Sequence, residues 1–222
     1  MIKNIAMIPA RLGSQRLKKK NLELFGDLTL IEHAIDRCKK ADVFDAIYVN
    51  SESEIFKKYA IQNNINFYKR SKLLGNNEAT SEEFVEDFLN NIECESLYQI
   101  HSITPLLDSK TIRSFFSFCE SNQHFDTVLS CIEDKIEVAY QNNPVNFSFD
   151  QKTNSQDLTP TQRVTWSVTK WKSKVYLDAK KNNSIGTYSG KIGFFSVDSI
   201  SGLAIKTAQD LEIANALRKI IK

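Results

Sequence analysis

A chain of 222 residues is long enough for one substantial hydrophobic core and short of the length at which chains regularly split into several domains. Its 29 basic and 27 acidic residues leave a formal charge of +2, which excludes a general polyanion binder for nucleic acid or anionic membrane, so any anion site must be local. The cysteines Cys38, Cys94, Cys119 and Cys131 form no C-x-x-C pair, the N-terminal apolar run is too short for a signal peptide, and no stretch approaches the roughly 20 apolar residues of a membrane span, so a cytoplasmic protein with buried free thiols is expected.

In chain order, short β-rich runs alternate with segments of helical period, the pattern of βαβ units in an α/β fold with an open, mostly parallel sheet. Lys3–Pro9 predicts the first strand, and Leu30, Ile31, Ala34, Ile35 and Cys38 then share one helical face. Strands over Ala46–Asn50, Asn66–Lys69, Leu97–His101 and Thr127–Cys131 are separated by helical faces at Ile55, Phe56, Tyr59 and Ala60, at Phe84, Val85, Phe88 and Leu89, and at Ile112, Phe115, Phe116 and Cys119. Ser51 with Glu54 and Thr80 with Glu83 each fit the capping box that satisfies orphan amides at a helix start. From about Glu133 to Lys191 the alternation lapses into polar, Asn- and Thr-rich sequence, predicting an excursion from the sheet that forms a β-arm. Within it lie β-rich runs at Val145–Phe149 and Val164–Val168 and a short helical segment near Val175–Lys181. The regular pattern returns with a strand at Lys191–Val197 and a last helix capped by Thr207, whose Leu211, Ala214, Leu217 and Ile221 face inward.

The loop Ile8–Leu22, IPARLGSQRLKKKNL, follows the first strand and so lies beyond a strand's carboxyl end, where open parallel sheets bind ligands. Gly13 and Ser14 can offer backbone amides and a hydroxyl to an anion, and Arg11, Arg16 and Lys20 add charged donors suited to a triphosphate. Clustered basic residues on a loop also describe an ordinary solvated face, and these residues alone leave the two readings open. Neither G-x-x-x-x-G-K-[ST] nor G-x-G-x-x-G is present, no His/Cys/Asp cluster has zinc spacing, and no G-x-S-x-G elbow occurs. His101, at a strand end, reads on its own as a hydrogen-bonded structural residue, and His33 and His124 suggest no site. Trp166 and Trp171 could stack on a base or pack in a core.

Ile8, Pro9, Ala10, Arg11, Gly13, Ser14, Arg16, Lys20 and Asn21 match the pattern IPARxGSxRxxxKN, and in this the chain resembles the CMP-sialic acid synthetase group of cytidylyltransferases, with the related Kdo, legionaminate and pseudaminate enzymes. Echoes of that family continue in order: Arg70 to Ala79 against RPxxLAxDxA, His101–Leu107 against QPTSPLR, Gln156–Arg163 against RQxLPxxxR, and Leu203–Ala214 against DIDTxxDLxxA. The resemblance implies one nucleotidyltransferase domain over residues 1–222, Rossmann-like and GT-A-like, with a small dimerisation arm at about 133–191. It also implies a homodimer that transfers CMP from CTP to an acidic, sialic-acid-like sugar with Mg²⁺ as cofactor, for surface glycan biosynthesis. By the same resemblance Lys20, Arg16 and Asn21 form the catalytic set, and Arg11 and Ser14 hold phosphates with Lys20. Ala10, Gly13 and Asn77 contact the nucleotide, and His101, Gln156 and Arg163 lie on the sugar side.

The chain departs from the pattern at informative places. The motif's two metal-binding aspartates align with Ala204 and Lys206, its Leu-Ala-x-Asp aspartate with Asn77, and the glutamine and arginine of QPTSPLR with His101 and Leu107. An Asn-Gly after the retained Arg163 is replaced by Thr165–Trp166. Two classes of function follow: an active nucleotidyltransferase, or a catalytically weak relative that binds nucleotide as a regulatory subunit. A GT-A-like glycosyltransferase ranks third because no D-x-D motif is present. Lys206 is expected on the same rim as the Arg11–Lys20 loop, where an ammonium approaches phosphate oxygens without a metal; the other reading leaves it in solvent.

Overall fold

An uninterrupted buried run from Asn4 to Ile8 marks β1 (Ile2–Pro9) as a strand covered on both faces, as parallel strands under helices must be. Its pleat divides the core. Ile5 and Met7 join one apolar cluster with Val85, Phe88, Leu97 and Trp171, while Ala6 and Ile8 join another with Ile31, Ile35, Ile112 and Phe115. The computed structural model describes residues 2–220, and β1 lies inside a 7-stranded sheet.

After β1 come β2 (Leu24–Phe25) and β3 (Leu28–Thr29), a small ribbon turning at Gly26 with φ 66°, then α1 (Leu30–Ala41). The chain continues through β4 (Ala46–Ser51), α2 (Lys57–Gln62), β5 (Asn66–Lys69), α3 (Ser81–Asn91), β6 (Cys94–Ile100), α4 (Ser109–Ser121) and β7 (Thr127–Asp134). A hairpin of β8 (Ala139–Tyr140) and β9 (Asn143–Pro144) precedes β10 (Thr161–Lys172), α5 (Ser173–Lys181), β11 (Ile192–Ser196) and α6 (Ala208–Ile220). The sheet order is β11-β7-β10-β6-β1-β4-β5. Pairs β1–β4, β1–β6, β4–β5 and β7–β11 are parallel, and β10 runs antiparallel to both its neighbours. Successive strands leave β1 on opposite sides, β4 on one and β6 on the other, so the crevice beyond the carboxyl ends of β1 and β6 is the topological switch point where such sheets bind ligands.

Helix starts follow local chemistry. Capping boxes form at Thr29 with Glu32 and at Thr80 with Glu83. Thr207 accepts from the Asp210 amide at 3.3 Å while the Asp210 carboxylate accepts from the Thr207 amide at 2.7 Å. The Ser51–Glu54 box does not form: Ser51 ends β4, and Ser53 instead accepts from the Ile55 amide to start a 3-10 turn that leads into α2.

The expected excursion over Glu133–Lys191 is corrected. Residues 161–172 return to the centre of the sheet as β10, between β7 and β6, and α5 packs behind them, so the segment that leaves the sheet covers about 135–160. Inside it the expected strand at Val145–Phe149 is not formed; the hairpin closes at Asn143–Pro144 through Gln141 and Asn142, both at positive φ (49° and 65°) as a tight two-residue hairpin turn requires. In β10 the register shifts between Val164 and Thr169, and Trp166 sits at φ 59° inside that bulge, at the position where the family pattern carries glycine. Trp171 is buried with its indole N–H donating to the Thr187 carbonyl at 3.0 Å, a core role. In α6, Ala214 is buried and Leu211 and Leu217 half-buried, as expected; Ile221 lies outside the described residues. The four cysteines are buried and free.

Candidate active site

A cavity opens at the switch point. Its wall is the loop after β1 (Pro9, Ala10, Arg11, Ser14, Gln15, Arg16, Leu17, Lys20, Asn21), joined by Arg70 and Phe84, by the turn after β6 (His101, Ser102, Ile103), and by Lys206 before α6. Contacts far apart in sequence hold this rim together. Asn21 is buried; its amide donates to the Arg11 carbonyl at 2.9 Å and its Oδ1 accepts from the Ser102 hydroxyl at 2.6 Å, so it ties the β1 loop to the β6 turn. Lys20 Nζ donates to the Ile205 carbonyl at 3.0 Å, and the Ile205 amide donates to the Ile103 carbonyl at 2.7 Å, which closes the third side. Beneath the β6 turn, the buried Arg37 guanidinium donates to the carbonyls of His101 and Thr104. Arg70, also buried, donates to the Ala10 carbonyl at 3.0 Å, pairs with Glu52 at 3.1 Å and lies over the Phe84 ring at 4.7 Å. Glu52 also accepts from the Leu12 amide at 2.9 Å, and its path requires Gly75, where a Cβ would stand 2.2 Å from the Glu52 Cγ.

The electrostatics are one-sided. Arg11, Arg16, Lys20, Arg70 and Lys206 line the cavity and no carboxylate does. Burial, then Arg16 and Arg11, bring the Lys20 pKa down to about 8 from its ordinary 10.5, with Lys206 adding to the effect. Burial, with Arg37 and Lys20 nearby, brings His101 down to about 4, so its ring is neutral. The Gln99 side-chain amide lies against the ring, its Nε2 2.6 Å from His101 Nε2. The cavity is therefore a donor-rich, positive site suited to a polyanion and poor in groups that could act as a base.

The sequence profile of the family described as Cytidylyltransferase matches residues 5–196. The chain belongs to the cytidylyltransferase family. Among curated relatives it is 30% identical over 135 residues to the N-acylneuraminate cytidylyltransferase of Streptococcus agalactiae serotype III, covering 60% of this chain and 32% of the relative. It is 26% identical over 236 residues to the pseudaminic acid cytidylyltransferase of Campylobacter jejuni serotype O:2, covering 99% of this chain and 97% of the relative. The chain thus spans about a third of the streptococcal relative's length. Its fold is similar to that of a CMP:2-keto-3-deoxy-manno-octonic acid synthetase solved with CTP, at a TM-score of 0.74 and 15% identity, covering 99% of this chain and 100% of that one. The mostly parallel nucleotidyltransferase fold expected from the resemblance is the fold observed.

Within this cytidylyltransferase fold, Ala10, Arg11, Ser14, Arg16, Lys20, Asn21 and His101 converge on the cavity. Gly13 is exposed and lies off its wall. Asn77 is exposed beside Asn76, whose carbonyl accepts from Arg11 at 2.9 Å, so this segment reaches the site through its backbone neighbour. Gln156 is exposed on the arm, and Arg163 is exposed on β10 and paired with Asp134 at 3.1 Å; neither lines the cavity of this chain. Residue-by-residue reading missed Arg70, Phe84 and Ser102 as site groups, although Arg70 opens one family-like segment and Ser102 lies in another. Lys206 does line the cavity together with the β1 loop, whereas Ala204 does not.

The Mg²⁺ implied by the family does not fit the residues present. Its motif positions are Ala204 and Lys206, no carboxylate lines the cavity, and among the described residues no group of three His, Cys, Asp or Glu side chains could hold an ion. Asp210, the carboxylate retained from the motif, accepts from the amides of Lys206 and Thr207 at 2.9 and 2.7 Å and from the Thr207 hydroxyl at 2.9 Å.

Proposed function

We propose that the protein transfers CMP from CTP to an acidic sugar of the sialic-acid type, such as a pseudaminate or an N-acylneuraminate. The observation that carries this reading is the cavity at the switch point, walled by the signature loop and lined by five cations without a carboxylate. The names of the relatives support the substrate class. In the reaction proposed, a sugar hydroxyl oxygen bonds to the α-phosphorus as the bond to the pyrophosphate oxygen breaks, and the hydroxyl proton passes to solvent. No covalent protein intermediate is needed; the chain's part is to align the phosphates and stabilise charge on their oxygens. Lys20 and Arg11 would hold the triphosphate, and the Arg70–Phe84 pair would wall the nucleoside end. The test is pyrophosphate release from CTP with each acidic sugar. Release that depends on both substrates supports the reading, and CTP binding without release from any such sugar overturns it.

That second outcome would favour a nucleotide-binding, catalytically weak relative, for which the replacement of both motif aspartates by Ala204 and Lys206 is the specific argument. The reading also includes a homodimer built through the arm: Ile136, Tyr140, Val145 and Phe149 are 66%, 69%, 57% and 71% exposed there, more apolar surface than a small protrusion buries by itself. A cytoplasmic setting is supported by the buried free thiols and by the lack, among the described residues, of any helix long and apolar enough to cross a membrane.

A further inference from the structure

The place where this family implies a metal is positive in this chain, and its geometry is fixed from several sides. The turn before α6 is pinned by the Ile205 amide on the Ile103 carbonyl, by Lys20 on the Ile205 carbonyl, and by Asp210 on the Lys206 and Thr207 amides. This turn sets Lys206 in the wall of the same cavity as Arg16, both residues being exposed. Among the described residues neither of these side chains has a hydrogen-bond or ion-pair partner, unlike Arg11, Lys20 and Arg70, whose donors already meet protein carbonyls. The carboxylates nearby are engaged: Glu52 with Arg70 and the Leu12 amide, Asp210 with the α6 cap. Under the floor, Arg37 adds a buried cation with no acidic partner among the described residues.

We propose that this site takes its triphosphate as the metal-free anion, with Lys206 and Arg16 supplying at the rim the positive charge that a divalent ion supplies elsewhere. Together the two side chains carry the formal charge of one such ion, and their donors reach the same phosphate oxygens. A divalent ion arriving with the nucleotide would meet no protein carboxylate to ligate it, would be held by phosphate and water alone, and would be repelled by the cations that line the cavity. The fall of the Lys20 pKa to about 8 comes first from its burial and then from Arg16 and Arg11, with a smaller part from Lys206. The inference rests on the nucleotide reading above and deepens it.

The experiment is calorimetric titration of CTP into the full chain, in EDTA and in excess Mg²⁺, for the wild type, Lys206→Gln, Arg16→Gln and Lys206→Asp, with thermal melts to show that each variant is folded. The wild type should bind in EDTA at least as tightly as in Mg²⁺. Lys206→Gln and Arg16→Gln should each lose about tenfold in EDTA. Lys206→Asp should reverse the preference, binding more tightly with Mg²⁺ than without. Wild-type binding that requires Mg²⁺, or metal-free binding unmoved by both glutamine substitutions, overturns the inference and leaves the nucleotide reading intact. Absence of CTP binding in both conditions overturns the two together. Pyrophosphate release in EDTA that is slowed by Lys206→Gln would extend the same conclusion to turnover.

Discussion

The cavity rim and the arm over residues 135–160 are both irregular backbone, yet they are held in opposite ways. Rim bonds are long-range: Lys20 to Ile205, Ser102 to Asn21 and Arg37 to Thr104 join positions 185, 81 and 67 residues apart. Arm bonds are local. The Asn146 side chain donates to the carbonyls of Ile136 and Thr159 and accepts from the Val138 amide, across 10, 13 and 8 residues. The rim is thus a product of the whole fold, so an alteration at one wall is felt at the others, whereas the arm is a local unit that can be changed without disturbing the sheet.

The sharpest way to break this comparison is at Arg37. Removing its guanidinium takes one donor from each of two carbonyls of the β6 turn, leaving them the Thr104 hydroxyl and the Leu107 amide, and opens a cavity under the site, so Arg37→Ala should cost roughly 2–3 kcal/mol of stability in urea titration. A loss below about 0.5 kcal/mol, the level of an ordinary surface substitution, would show that the turn does not depend on it.

At the rim itself, Lys20→Ala should weaken CTP binding by about tenfold or more while the fold persists, because a charge-assisted hydrogen bond to phosphate is worth ~1.5–3 kcal/mol. Unchanged affinity in calorimetry would remove Lys20 from the phosphate site. The pH dependence refines the same point. With its pKa at about 8 in the free protein, Lys20 must be protonated to meet the anion, so CTP affinity should fall as pH rises through 8. The loss between pH 7 and 9 should approach about tenfold, and proton uptake on binding should be measurable near pH 8 from titrations in buffers of different ionisation enthalpy. Lys20→Arg should flatten the profile. For stability the sign is the reverse of a salt bridge: charge on Lys20 costs stability below about pH 8, and that cost fades as pH rises towards its ordinary 10.5.

The smallest effect on the fold is expected in the arm. Phe149→Ser should change unfolding free energy by no more than about 0.5 kcal/mol, since the side chain is 71% exposed. Its readout is mass: if the arm joins two copies, light scattering at micromolar concentration should show the dimer shifting towards monomer. A wild-type chain that is already monomeric would remove the arm's proposed role and leave the local nature of its folding untouched.

The positions legible from the chain were those whose partners lie close by in sequence or whose burial is written in apolar side chains. Thr80 with Glu83 and Thr207 with Asp210 formed the caps they spell. The run Asn4–Ile8 became a strand buried on both faces, and the loop after it became the cavity wall. What escaped was β10. Its sequence, TQRVTWSVTKWK, reads as polar and peripheral, yet Ser167, Thr169 and Lys170 are buried in the middle of the sheet. Two of them are satisfied by distant groups, the Ser167 hydroxyl donating to the Ser201 carbonyl at 3.2 Å and Lys170 Nζ to the Phe125 carbonyl at 3.3 Å, while the Thr169 hydroxyl has no partner among the described residues.

By itself the sequence determined the α/β alternation, the helix starts at Thr80 and Thr207 and the loop that walls the cavity, because each rests on periodicity, capping or a contiguous motif. Only the tertiary structure decided that Arg70, Phe84 and Ser102 share one cavity with that loop, that Gln156 and Arg163 lie away from it, and that the rim is lined by cations without a carboxylate. The reason is physical: a binding site is a convergence of strand ends and turns from remote parts of the chain. Which of their side chains face one another depends on strand order and on the hydrogen bonds that pin each turn, and no local pattern encodes either.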